Sequence, residues 1–136
     1  MPGIKELKIN KATITVIDPH LVQIRIDENA DIDAEDIYAI NTAKFELIGE
    51  VPHCVLYIPQ KYGSMTQEGR EVSASKTINH LAIAKAVIVT NLAQRLVANV
   101  FIRMNKPVSP TKIFSSEVEG LKWLGKISIQ YFKNKI

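Results

Sequence analysis

Residues Asn91 to Leu124 read NLAQRLVANVFIRMNKPVSPTKIFSSEVEGLKWL, and this stretch decides the fold class. At about 100° per residue, Leu92, Ala93, Leu96, Val97, Val100, Phe101 and Met104 gather on one helical arc. That arc is expected to lie on the core. Gln94, Arg95, Ala98, Asn99 and Ile102 occupy the opposite face. Thr90 and Asn91 are both competent N-caps, and Asn105-Lys106 ends the helix before Pro107. Pro110 to Phe114 then reads as a short strand, with proline at its start where the missing N–H costs least. Ser116 and Glu119 have capping-box spacing, and Val118, Leu121, Trp123 and Leu124 pack a closing helix back on the core. A helix, a buried strand and a helix in succession are the grammar of an α/β domain.

Upstream the same grammar repeats. Ala12 to Ile17 (ATITVI) and Leu21 to Ile26 (LVQIRI) are β-branched and alternating, and Asp18-Pro19-His20 supplies turn chemistry, so they predict an antiparallel hairpin. Val22, Ile24 and Ile26 share its core face. Asp33 is the expected N-cap of the next helix, with Glu35 and Asp36 in its first turn and Gly49 ending it. His53 to Ile58 is apolar without alternation, as in a central strand covered on both sides. Ser64 and Gln67 are spaced as a capping box for a polar helix over about Gln67 to Ser75. Ala84 to Thr90 predicts another buried strand. The fold class is therefore α/β, a single domain with a mixed, mostly parallel sheet of about five strands covered by about four helices. Residues 1–11 read as an N-terminal extension, 12–125 as the domain, and 126–136 as a basic tail that either frays or adds a strand to a neighbour.

Composition bounds the function. The chain has 136 residues, 46% of them hydrophobic, enough for one self-sufficient core. Its net charge of +3, from 17 basic and 14 acidic residues, permits contact with anions but does not predict nucleic-acid binding. Apolar runs are too short to span a bilayer and the first residues lack a signal-peptide pattern, so a cytoplasmic protein is expected. The lone Cys54 lies in an apolar run and reads as a small buried hydrophobe.

Motifs for chemistry are missing. The glycines are isolated, so no phosphate loop forms, and no nucleophile elbow is present. His20, His53 and His80 lack metal-ligand spacing. The acids between Asp31 and Asp36 have no turning glycine for a calcium loop. No enzyme, no metal and no cofactor are expected.

The block from Met65 to Leu124 resembles a known family. Its quoted residues are Thr66-Gln67-Glu68-Gly69-Arg70, Ala84 to Val89, Gln94 to Asn99, Asn105-Lys106-Pro107, Pro110 to Phe114 and Trp123-Leu124. They are similar to small bacterial proteins with the STAS fold, that of the anti-sigma-factor antagonists, often grouped with Sec14-like lipid-binding domains. The resemblance implies a regulatory or protein-interaction domain, with phosphorylation at a Ser at a helix N-terminus, here nearest Ser64 or Thr66. It implies an unidentified protein partner, with a homodimer allowed. Glu68 and Arg70, together with Arg95, Asn99, Ile102 and Arg103, are the candidate partner surface. The alternative is a small-molecule or lipid-binding module, although a well-covered core predicts no large apolar cavity.

Overall fold

Strand β1 (Lys5–Ile9) opens this computed structural model, which describes residues 5–135, and pairs antiparallel with β2 (Ala12–Asp18). Of the extension expected over residues 1–11, residues 1–4 lie outside the described residues, and the remainder carries a strand. Leu7 and Ile9 alternate with charges and pack on the core. The turn joining β1 to β2 places Lys11 at φ 72°, a left-handed value usually filled by Gly or Asn. Lysine is held there because its ammonium donates to the Asp31 carbonyl and the Asp36 carboxylate, both at 2.7 Å.

The predicted hairpin forms between β2 and β3 (Leu21–Ile26), with Val22, Ile24 and Ile26 buried. After β4 (Asp31–Ile32), Asp33 caps α1 (Ala34–Ile48) through a full capping box with Asp36, and Gly49 closes the helix at φ 85°. The chain continues through β5 (His53–Ile58), β6 (Ser64–Met65), α2 (Gln67–Ala74) and β7 (Ala82–Ile88). Helix α3 (Leu92–Val100) runs on into a π-helical turn, Phe101–Asn105, before β8 (Thr111–Phe114) and α4 (Glu117–Lys133).

The main sheet has the order β1-β2-β3-β5-β7-β8, antiparallel as far as β3 and parallel from β3 onward. β4 and β6 form a separate parallel pair. Side-chain alternation divides the core in two. On one face Ile14, Val22, Ile24 and Val55 pack with Ile37 and Ile40 of α1. On the other, Cys54, Leu56, Ala84, Ala86 and Ile88 pack with Leu124 of α4. Each fully buried aliphatic side chain contributes roughly 1.5–3 kcal/mol.

Two expectations are corrected. Residues 126–133 of the expected basic tail are helix: α4 continues to Lys133, with Ile127 packed on the core and Phe132 seated 4.4 Å from the His20 ring, and Ile136 lies outside the described residues. The apolar arc of α3 is not packed on the core either: Leu92, Ala93, Val97 and Phe101 border an open space above the sheet, and Leu96, Val100 and Met104 turn away from it. Leu92, Leu96, Val97, Val100 and Met104 are all more than half exposed, and no residue of α3 is buried. Polar contacts fix its rotation: Asn91 caps Gln94, and the Gln94 amide receives the Thr90 N–H and donates to the Pro59 and Gln60 carbonyls. Gln94 and Ala98 are thereby turned inward.

Candidate functional site

Because α3 is held by its polar edge, it roofs a space instead of filling one. Between the sheet and α3 lies a cavity of about 580 Å³, within the range of small-molecule sites. Its floor is the face of the sheet carrying Ile26, Tyr57, Val87 and Val89, near the carboxyl ends of three strands. Ligands of α/β sheets bind at that end. Its roof includes Val97, Ala98, Phe101 and Ile102, and its mouth carries Tyr62, Ser64 and Arg70. The expectation of a closed core without a large apolar cavity is therefore wrong.

Beside the cavity, on the same face of the sheet, is a small chamber of about 30 Å³, walled mostly by aliphatic side chains such as Ile37, Ile40 and Val55. The polar residues among its lining are Asn41 and Lys44 of α1, Ser73 of α2, Asn79, and Tyr57 and Lys85 of the sheet. Tyr57, Ser73 and Lys85 border both spaces. Lys44 and Lys85 are only 3% and 9% exposed. Neither ammonium has an ion-pair or hydrogen-bond partner among the described residues; that of Lys44 stands 4.6 Å from the Phe45 ring centroid. Burial pulls both below the usual lysine range, Lys44 to about 7, helped by the charge of Lys85, and Lys85 to about 8. The same burial raises the Tyr57 phenol. Asn41 Oδ1 is buried without a partner.

The residues expected to carry function are dispersed. Ser64 does not cap α2; it lies in β6, exposed, and its hydroxyl donates to the Asp31 carboxylate across the β4–β6 pair. Thr66 is the N-cap, accepting the Gly69 N–H at 3.0 Å. The reason is the β4–β6 pairing, which keeps the chain extended as far as Met65. Thr66→Ala should therefore cost about 1 kcal/mol in urea unfolding, and Ser64→Ala about 0.5 kcal/mol or less. Arg95, Asn99 and Arg103 share the exposed side of α3 and its π-helical turn, whereas Ile102 points the other way and lines the cavity. Glu68 is exposed on α2, and Arg70 leaves it to reach the cavity mouth, donating to the Met65 carbonyl at 2.9 Å.

Two of the three histidines bond to backbone carbonyls. The His20 ring meets the Pro52 carbonyl at 2.8 Å, and the His53 ring the Val51 carbonyl at 2.9 Å. Burial and the nearby Lys44 charge depress His53 to about 4, keeping it neutral. Cys54 is buried and its thiol pushed up to about 11. Among the described residues no three His, Cys, Asp or Glu side chains gather as metal ligands, and no helix is long and apolar enough to cross a membrane.

Residues 15–128 match the family described as a domain of unknown function, DUF7793. The chain belongs to this family. The matched DUF7793 region holds every residue bordering the cavity and the chamber. No curated protein matches the sequence. Among solved structures, an uncharacterized DUF3478-family protein with a SpoIIAA-like fold from Shewanella loihica PV-4 is similar at TM-score 0.55 and 12% identity, over 90% of this chain and 92% of that one. That similarity gives the fold: a SpoIIAA-like, STAS-type α/β domain, as the sequence resemblance implied.

Proposed function

We propose that this DUF7793 domain is a non-enzymatic binding module that encloses an apolar small molecule or lipid chain between its sheet and α3. The observation that carries the reading is the cavity of about 580 Å³. A chain selected for stability alone would set the apolar arc of α3 on the sheet. This one holds the helix off by the polar contacts of Gln94, at the cost of exposing Leu96, Val100 and Met104.

Native mass spectrometry of gently purified protein tests this. The expected spectrum contains an adduct of lipid or apolar-metabolite mass, and Ala98→Trp, which fills the space under the roof, should lose it. Affinity for an apolar fluorophore should fall at least tenfold in that variant with the thermal transition retained. Bare protein mass together with no fluorophore binding would sink the proposal. An adduct of phosphate mass that Ser64→Ala abolishes would transfer the assignment to a phosphorylation-linked, partner-binding regulator of the anti-sigma-antagonist type.

A further inference from the structure

We propose that the molecule held in the cavity is a long-chain fatty acid whose carboxylate sits between Lys85 and Lys44, with its chain under α3. The inference rests on the cavity reading and adds the chemistry of the head group.

Two lysines occupy positions where core packing calls for hydrocarbon. Lys85 alternates with Val87 and Val89 on the inner face of β7 and the residue that follows it, and Lys44 lies among Ile37, Ile40 and Ala43 on the buried side of α1. Taking an ammonium out of water without a counter-ion costs several kcal/mol, and such groups are ordinarily paired. Here two face one small chamber with no carboxylate bordering it. That juxtaposition is electrostatically complementary to an anionic head group.

The surroundings are built for one. Ser73 and Tyr57 border the chamber, and each carries a hydroxyl that can donate. Asn41 Oδ1, buried and unpartnered, is an acceptor for an ammonium proton once the head group orders the lysines. The shared border of Lys85, Tyr57 and Ser73 joins the chamber that holds both lysines to the apolar cavity, so one molecule can place a charged end in the first and a hydrocarbon chain in the second. Size selects among anions. A chamber of about 30 Å³ has room for roughly two waters, which a carboxylate can replace and a glycerophosphate head group cannot.

The test uses the full chain, stripped of co-purifying lipid by organic extraction and refolded, titrated with palmitate, hexadecanol and hexadecyl phosphate. Palmitate should bind at least tenfold more tightly than hexadecanol. Lys85→Met should remove that preference, so that palmitate and hexadecanol affinities converge, while a retained thermal transition shows an intact fold. Equal binding of palmitate and hexadecanol by the natural chain would overturn the head-group assignment and leave the cavity reading standing. So would a preference that survives Lys85→Met. Tighter binding of hexadecyl phosphate than palmitate would replace the carboxylate by a phosphate. No binding of any of the three would overturn both readings.

Discussion

Lys85→Met is expected to raise the melting temperature of the ligand-free protein by roughly 5–10 °C at pH 7, an unusual sign for a change at a core position. Methionine matches the length of the lysine stem and leaves no cavity. What it removes is an ammonium that burial holds at about 8 and that repels Lys44, itself held at about 7. In the unfolded chain both return to the ordinary lysine value near 10.5. Between pH 7 and 10 the unfolded state therefore binds more protons than the folded one, and stability rises with pH across that window. His53, held at about 4, acts in the same direction below pH 6.5, because acid favours the unfolded state that can protonate it. Melting temperature followed from pH 6 to pH 10 should climb in the natural protein and less steeply in Lys85→Met, where buried Lys44 still contributes. The gain from removing one buried charge is about 1–3 kcal/mol, and a domain of this size moves several degrees per kcal/mol. A variant that melts at or below the natural protein would show that Lys85 is already compensated within the fold. Stability gained together with binding lost would be a trade between folding and function.

The two lysines were legible in the sequence, though by a different signal from the ones that attract attention. A search for motifs passes over Lys44 and Lys85, which match none. A search for charges in core register finds them: Lys85 breaks an apolar alternation on β7, and Lys44 falls on the i, i+3, i+7 face of α1 set by Ile37 and Ile40. What no pattern in either element discloses is that the two meet, since that follows from the packing of α1 across the sheet. Ser64 drew attention because its spacing to Gln67 mimics a capping box. The spacing was real, but the pairing of β6 with β4 kept Ser64 extended and gave the cap to Thr66.

The fold was legible wherever local signals agreed with tertiary packing. The hairpin, the caps at Asp33 and Ser116, and the central strand β5 follow from residue chemistry alone. The end of α4 was present as well, since Leu124, Ile127 and Tyr131 continue a helical spacing into residues whose charge suggested a tail. Strand β1 was hidden by a turn that uses lysine where glycine is customary. The rotation of α3 was not legible. Leu96, Val100 and Met104 of its hydrophobic arc point outward because Gln94 bonds to Pro59 and Gln60, 35 and 34 residues away in the chain. Periodicity identifies a helix and its apolar side; long-range polar contacts decide which side meets the sheet.

Gly120→Val is expected to destabilise the protein by about 2–3 kcal/mol, read from urea unfolding with an unchanged denaturant slope, and to lower its melting temperature by roughly 10 °C. Gly120 lies in α4 at its closest approach to the sheet. A β-carbon there would stand 2.8 Å from Ile88 Cδ1, 3.3 Å from Leu56 Cδ1 and 3.4 Å from Ala86 Cβ, all of them buried side chains. One methyl can be accommodated by turning the end of Ile88. Alanine also recovers about 1 kcal/mol of helix propensity, so Gly120→Ala should be near neutral. Valine adds two γ-methyls with a stiff χ1 and must push α4 off β5 and β7. The cavity lies on the opposite face of the sheet, so palmitate affinity of the folded fraction should stay within about twofold. A neutral Gly120→Val would mean that α4 docks loosely. A destabilised variant that also loses palmitate would mean that the two faces of the sheet are coupled and that α4 positions the floor of the site.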